Sequence, residues 1–136
     1  MFDSHPGSGR RIVFLDVPDA WRADDLSRSL ARIIPKGAGA DTQLLAVGDW
    51  SSAQHDAAHL LASKGIRLIQ RAPEPRDRGR KGVSLAVAIG LWLGSLAAGD
   101  VLDVIGEVAD DPVFDSVGNL AAMRGVAFRR LSHRQV

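Results

Sequence analysis

Ile12-Val13-Phe14-Leu15-Asp16 decides the fold. Four consecutive apolar residues closed by an acid form the pattern of a strand buried on both faces of a parallel sheet, with Asp16 delivered to its carboxyl end. Downstream of Pro18, Leu26, Leu30, Ile33 and Ile34 recur at the spacing of one helical face, and Pro35 with Gly37 ends that helix. Gln43 to Val47 reads as a second strand. Ser51-Ser52-Ala53-Gln54 then resembles a capping box before a helix striped by Ala53, Ala57, Leu60 and Leu61, with Gly65 suited to a left-handed stop. A third strand follows over Ile66 to Ile69.

The same alternation continues through the second half. Arg71 to Lys81 holds two prolines, a glycine and seven charged residues, a composition that belongs to an exposed loop. The next segment, about Gly82 to Ala98, is apolar almost all round, so a deeply packed helix is expected. Val101 to Ile105 reads as a fourth strand leading to Gly106-Glu107. Asp111-Pro112 opens the last helix, with Asp111 as N-cap and proline at the first helical position. Val113, Phe114, Val117, Leu120 and Ala121 give its stripe, Gly125 stops it, and Val126 to Phe128 supplies a fifth strand. A β-α-β-α-β-α-β-α-β order predicts an α/β fold: a three-layer, doubly wound, mostly parallel sheet.

Composition bounds the chemistry. At 136 residues, with 46% hydrophobic and 24% charged residues, the chain has the size and make-up of one globular domain. The expected organisation is a flexible leader over 1–10, a domain over 11–132 and a tail over 133–136. The absence of cysteine removes thiolate zinc sites, iron–sulfur clusters and thiol nucleophiles, and fits a reducing compartment, so the cytoplasm is expected. The polar stretch from Met1 to Arg10 lacks the apolar centre of a signal peptide, and the interrupted run Val83 to Ala98 falls short of a membrane span. Seventeen Lys and Arg against sixteen Asp and Glu give a net charge of +1, so a nucleic-acid partner must be argued from charge distribution.

In open α/β sheets, sites form beyond the carboxyl ends of the strands where strand order reverses. Asp16 and Asp19 follow the first strand, and Glu107, Asp110 and Asp111 follow the fourth. Clustered carboxylates repel one another, and a hard divalent cation such as Mg²⁺ or Mn²⁺ relieves the repulsion and can activate water. Each acid also has a structural reading: Asp111 fits a cap better than a ligand, Asp19 fits a cap of the first helix, and for Asp16 and Glu107 the two readings stand level. Other sites fare worse. Position 18 is proline where a haloacid-type phosphatase needs a second Asp, and no G-x-S-x-G, P-loop or G-x-G-x-x-G pattern occurs. His55 and His59 share a helical face without the adjacent Glu of a zincin, which makes them surface polar residues. Trp21, Trp50 and Trp92 offer rings for base stacking, although core packing is the commoner fate. Arg76, Arg78, Arg80 and Lys81 concentrate positive charge suited to phosphate backbone, diluted by Glu74 and Asp77.

Ile12 to Asp16, then Lys81-Gly82-Val83-Ser84, then Ile105-Gly106-Glu107 through Asp110-Asp111 and Phe114, resemble in order and spacing the three motifs of NYN domains. These domains belong to the PIN-like metal-dependent ribonucleases. The resemblance covers about Arg11 to Leu131 and implies a PIN-like, Rossmann-like topology and metal-dependent hydrolysis of RNA. By the same resemblance, Asp16, Glu107 and Asp110 or Asp111 hold Mg²⁺ or Mn²⁺ and carry catalysis. Ser84 stands where the family usually has Asp, contributing at most a water-mediated contact. Asp19 stands where the family has Asn. The site is one carboxylate poorer than the family pattern, which implies weak cleavage. Two alternatives remain: a catalytically impaired relative that binds RNA or protein, and a structural homo-oligomer, such as a homodimer, built on the apolar surface of the last helix.

Overall fold

The computed structural model describes residues 9–18, 20–33, 41–50, 55–70 and 83–135, with side chains described from Leu85 onward in the last segment. Five strands and four helices alternate: β1 (Arg11–Asp16), α1 (Ala23–Ile33), β2 (Thr42–Gly48), α2 (His55–Ser63), β3 (Arg67–Gln70), α3 (Val83–Leu93), β4 (Val101–Ile105), α4 (Val113–Met123) and β5 (Ala127–Leu131). All strands are parallel, in the order β3-β2-β1-β4-β5. The fold class expected from the alternation is therefore the fold class observed, a three-layer, Rossmann-like α/β domain.

The apolar run of β1 makes it the central strand. Ile12 and Phe14 face one layer, packing with Leu85, Ile89 and Leu93 of α3 and Phe114, Val117 and Ala121 of α4. Val13 and Leu15 face the other, packing with Leu26, Leu30 and Ile33 of α1 and Ala57 and Leu61 of α2. The chain winds outward from β1 to β2 to β3, then crosses back to place β4 on the far side of β1. Reversing the direction of travel puts the next helices on the opposite face, as a constant crossover hand requires. Glycine stops act where the sequence put them: Gly65 and Gly125 follow α2 and α4 with φ of 74° and 73°.

Four expectations need correction. The helix over Gly82 to Ala98 ends at Leu93, because at Ser95 both the N–H and the hydroxyl bond Trp92's carbonyl and turn the chain. Nor is that helix buried all round: Val87 and Leu91 are 61% and 78% exposed, as α3 is an outer layer with only one flank on the sheet. Leu120, placed in the stripe of α4, is also exposed. The fifth strand runs on to Leu131, three residues beyond its apolar core. The proposed capping box at Ser51 to Gln54 and the loop Arg71 to Lys81 lie outside the described residues. No helix among the described residues is long and apolar enough to cross a membrane.

Candidate active site at the β1/β4 switch point

Strand order reverses between β1 and β4, and the two strands run in register with Leu15 beside Ile105. The next residues, Asp16 and Gly106, therefore lie side by side at the carboxyl edge. Asp16 is 7% exposed. Gly106 adopts φ 146°, and a Cβ there would stand 2.7 Å from the Cβ of Asp16. Only glycine lets the two strand ends close this tightly. Its N–H donates to the Leu131 carbonyl at 2.9 Å, which ties β5 to the same edge.

Glu107 begins a 3-10 turn, Glu107–Asp110, and is exposed. Arg130 braces this turn: Nε donates to the Ala109 carbonyl at 2.6 Å, Nη2 to the Asp111 carbonyl at 2.8 Å, and Nη1 to Asp115 at 2.7 Å. Asp111 has the extended backbone of an N-cap, and its carboxylate accepts the Val113 N–H at 2.9 Å. Pro112 follows in helical conformation. Asp111 thus serves as a cap, and its carboxylate is engaged in holding α4. Asp110 is exposed at the end of the turn.

His133 completes the surroundings. It lies in a 3-10 turn, His133–Gln135, within the segment expected as a tail, and its ring packs on Trp21 at 4.5 Å between centroids. Both ring nitrogens are buried without a hydrogen-bond partner among the described residues. Burial lowers its pKa, while the charges of Asp16 and Glu107 pull the other way. Both carboxylates therefore lie within electrostatic reach of one imidazole. Burial outweighs the two charges and disfavours the imidazolium.

Of the acids singled out in the sequence, Asp16 and Glu107 both act on the His133 ring. Among the described residues, no group of three or more His, Asp or Glu is close enough to enclose a metal ion. Asp110 and Asp111 do not join such a cluster. Asp19, Arg76, Arg78, Arg80 and Lys81 lie outside the described residues; Ser84 falls in the first turn of α3, its side chain outside them. Two carboxylates would hold a hard cation only with water or substrate oxygens completing its shell, and they do not make an all-protein cage.

Sequence reasoning missed His133, Trp21 as its partner, and Gly106. For His133 the signal was present: had β5 been extended through Arg129-Arg130-Leu131, a parallel sheet would have carried residue 133 to the same edge as Asp16. Trp50 and Trp92 are structural. Trp50 donates Nε1–H to the Ile69 carbonyl at 2.8 Å, and Trp92 meets Phe14 edge-on at 6.3 Å beneath the Arg67 guanidinium. His55 and His59 are exposed on α2, as expected. The chain matches no protein-family model and no curated protein sequence.

Proposed function

We propose that this domain is a weak, metal-dependent ribonuclease whose Mg²⁺ or Mn²⁺ is held by Asp16 and Glu107. The observation that carries the reading is the β1/β4 register, which sets a buried acid beside Gly106-Glu107 at the point of strand reversal. Supporting it, both acids act electrostatically on the one His133 ring, so both stand at the same edge of the sheet. When bound, the ion activates water and stabilises charge on the transferring phosphate. The protein's part is to hold one oxygen donor at the end of β1 and the other on the turn after β4, braced by Arg130 and closed by Gly106, and to exclude water from the Asp16 side. Asp110 is the exposed acid available to orient a water. Asp111 contributes by fixing α4, and weak activity follows from the short donor set, with Ser84 in place of a further acid.

Cleavage of labelled single-stranded RNA tests this reading. The parent should cut slowly with Mn²⁺ or Mg²⁺ and stop in EDTA; Asp16→Asn should abolish cleavage and Ser84→Asp should accelerate it. Cleavage that persists in EDTA and in Asp16→Asn would refute the metal mechanism. An inactive parent beside an active Ser84→Asp variant would favour the impaired relative.

A second reading, assembly as a homodimer, is favoured by one observation. Val87 and Leu91 on α3 and Leu120 and Met123 on α4 are exposed on adjacent helices, Met123 by 83%. Sedimentation at increasing concentration tests it, with Leu91→Lys expected to abolish any dimer.

A further inference from the structure

One flank of α1 carries Asp25, Arg28, Ser29 and Arg32 at i, i+3, i+4 and i+7, beside the face on which Leu26, Leu30 and Ile33 are buried in the core. With Trp21 and His133, these four side chains line a cavity of about 190 Å³. His133 also feels the charges of Asp16 and Glu107, so the cavity lies beside the candidate active site. Its volume is below the roughly 300 Å³ at which pockets for drug-sized ligands begin, and suits a single planar ring system. The polar groups around it divide into two sets. Asp25 is engaged through both oxygens, accepting the Arg22 N–H at 3.0 Å as a capping contact and Nη2 of Arg28 at 2.6 Å. The Ser29 hydroxyl, the Arg32 guanidinium and both ring nitrogens of His133 have no hydrogen-bond partner among the described residues. Asp16, Glu107 and Asp25 stand at this end against the guanidinium groups of Arg28 and Arg32, so no positive excess gathers an anion here. What the cavity offers is directional: a free fork of N–H donors, a hydroxyl and an aromatic wall, a set that recognises a neutral ring with adjacent acceptors.

We propose that this cavity is a guanine subsite, with Arg32 donating to O6 and N7 of the base, Trp21 supplying the stacking surface and Ser29 adding a hydroxyl contact. The inference rests on the ribonuclease reading for its substrate and deepens it, naming the base preferred beside the scissile phosphate. Guanine presents two neighbouring acceptors that match a guanidinium fork, whereas adenine sets an amino donor beside N7 and the pyrimidines have no N7. Trp21 is already held against the His133 ring, at 4.5 Å between centroids, so stacking on it costs little ordering. Arg28 is likewise fixed, by Asp25, and closes the wall next to Arg32. An unpaired base of a single strand can enter such a pocket, while a base inside a duplex stays stacked.

Titration of the isotope-labelled full chain with nucleosides in EDTA, followed at the Trp21 indole N–H by NMR, tests the proposal. Nucleosides carry no phosphate, so charge attraction plays no part. Guanosine and inosine share O6 and N7 and should bind alike; adenosine and 7-deazaguanosine should bind about tenfold more weakly. Arg32→Gln should weaken guanosine about tenfold and erase the preference, Lys64→Ala should change neither, and circular dichroism should report parent-like folding for both variants. Equal affinity for all these nucleosides, no binding of guanosine by the parent, or an unchanged preference in Arg32→Gln would overturn the subsite. Guanosine preference in a chain that fails to cut RNA with Mn²⁺ would refute the ribonuclease reading and leave the subsite standing. Metal-dependent cleavage without guanosine preference would do the reverse.

Discussion

At the scale of single residues, Gly106 sets how closely the ends of β1 and β4 approach. A side chain at φ 146° is strained in itself, and here it would also collide with Asp16. Gly106→Ala should therefore cost about 2 kcal/mol of stability, read as a lower urea midpoint, and should reduce any Mn²⁺ affinity by pushing Asp16 aside. His133 reports on the same pair. Burial lowers its pKa and the two carboxylates oppose that shift, so Asp16→Asn should drive the pKa lower still. An imidazole titration by NMR checks this, and an unchanged value would place Asp16 out of reach of the ring. The place of Asp16 at the end of a buried strand was legible from the four apolar residues before it. His133 was not, since its position depends on how far β5 runs.

At the scale of elements, the strands and helices of both halves were readable from their apolar runs, but how far β5 runs and where its charges find partners were not. β5 carries Arg129 on one face and Arg130 on the other, and each is satisfied by a long-range partner, Asp103 or the Ala109 turn, that no local pattern reveals. Asp103 fills the place of an apolar residue on a flank that no helix among the described residues covers, its two oxygens accepting three guanidinium hydrogen bonds. Asp103→Ala should leave Arg11 half-buried and uncompensated, at a cost of about 2 kcal/mol, below the usual range for a broken buried pair because Arg129 is half-exposed. Asp111 was read correctly from Asp-Pro alone. Asp111→Ala should cost about 1 kcal/mol and lower the melting temperature by about 4 °C.

At the scale of the whole molecule, alternation of apolar strands and striped helices carried the architecture, because parallel order and helix placement follow from connection rules that need no side-chain detail. The electrostatics of the chain ends did not follow from any such rule. Asp100 closes the sheet at the edge opposite the candidate site, accepting the N–H groups of Arg10 and Ala97, each at 2.8 Å. Burial disfavours its charge, but those hydrogen bonds and the Arg10 guanidinium outweigh burial and hold its pKa below the ordinary carboxylate value. A carboxylate with a depressed folded-state pKa contributes stability above its unfolded pKa near 4 and loses it as pH falls through the folded value. Urea midpoints should therefore drop below about pH 4, and Asp100→Asn should flatten that drop.

The central claim is that Asp16 and Glu107 act together on one cation. Calorimetric titration with Mn²⁺ tests it most directly. The parent should bind one ion, with a large loss of affinity in both Asp16→Asn and Glu107→Gln, and little change in Asp111→Asn once folding is confirmed. No binding by the parent, or equal affinity in Asp16→Asn and the parent, would contradict it.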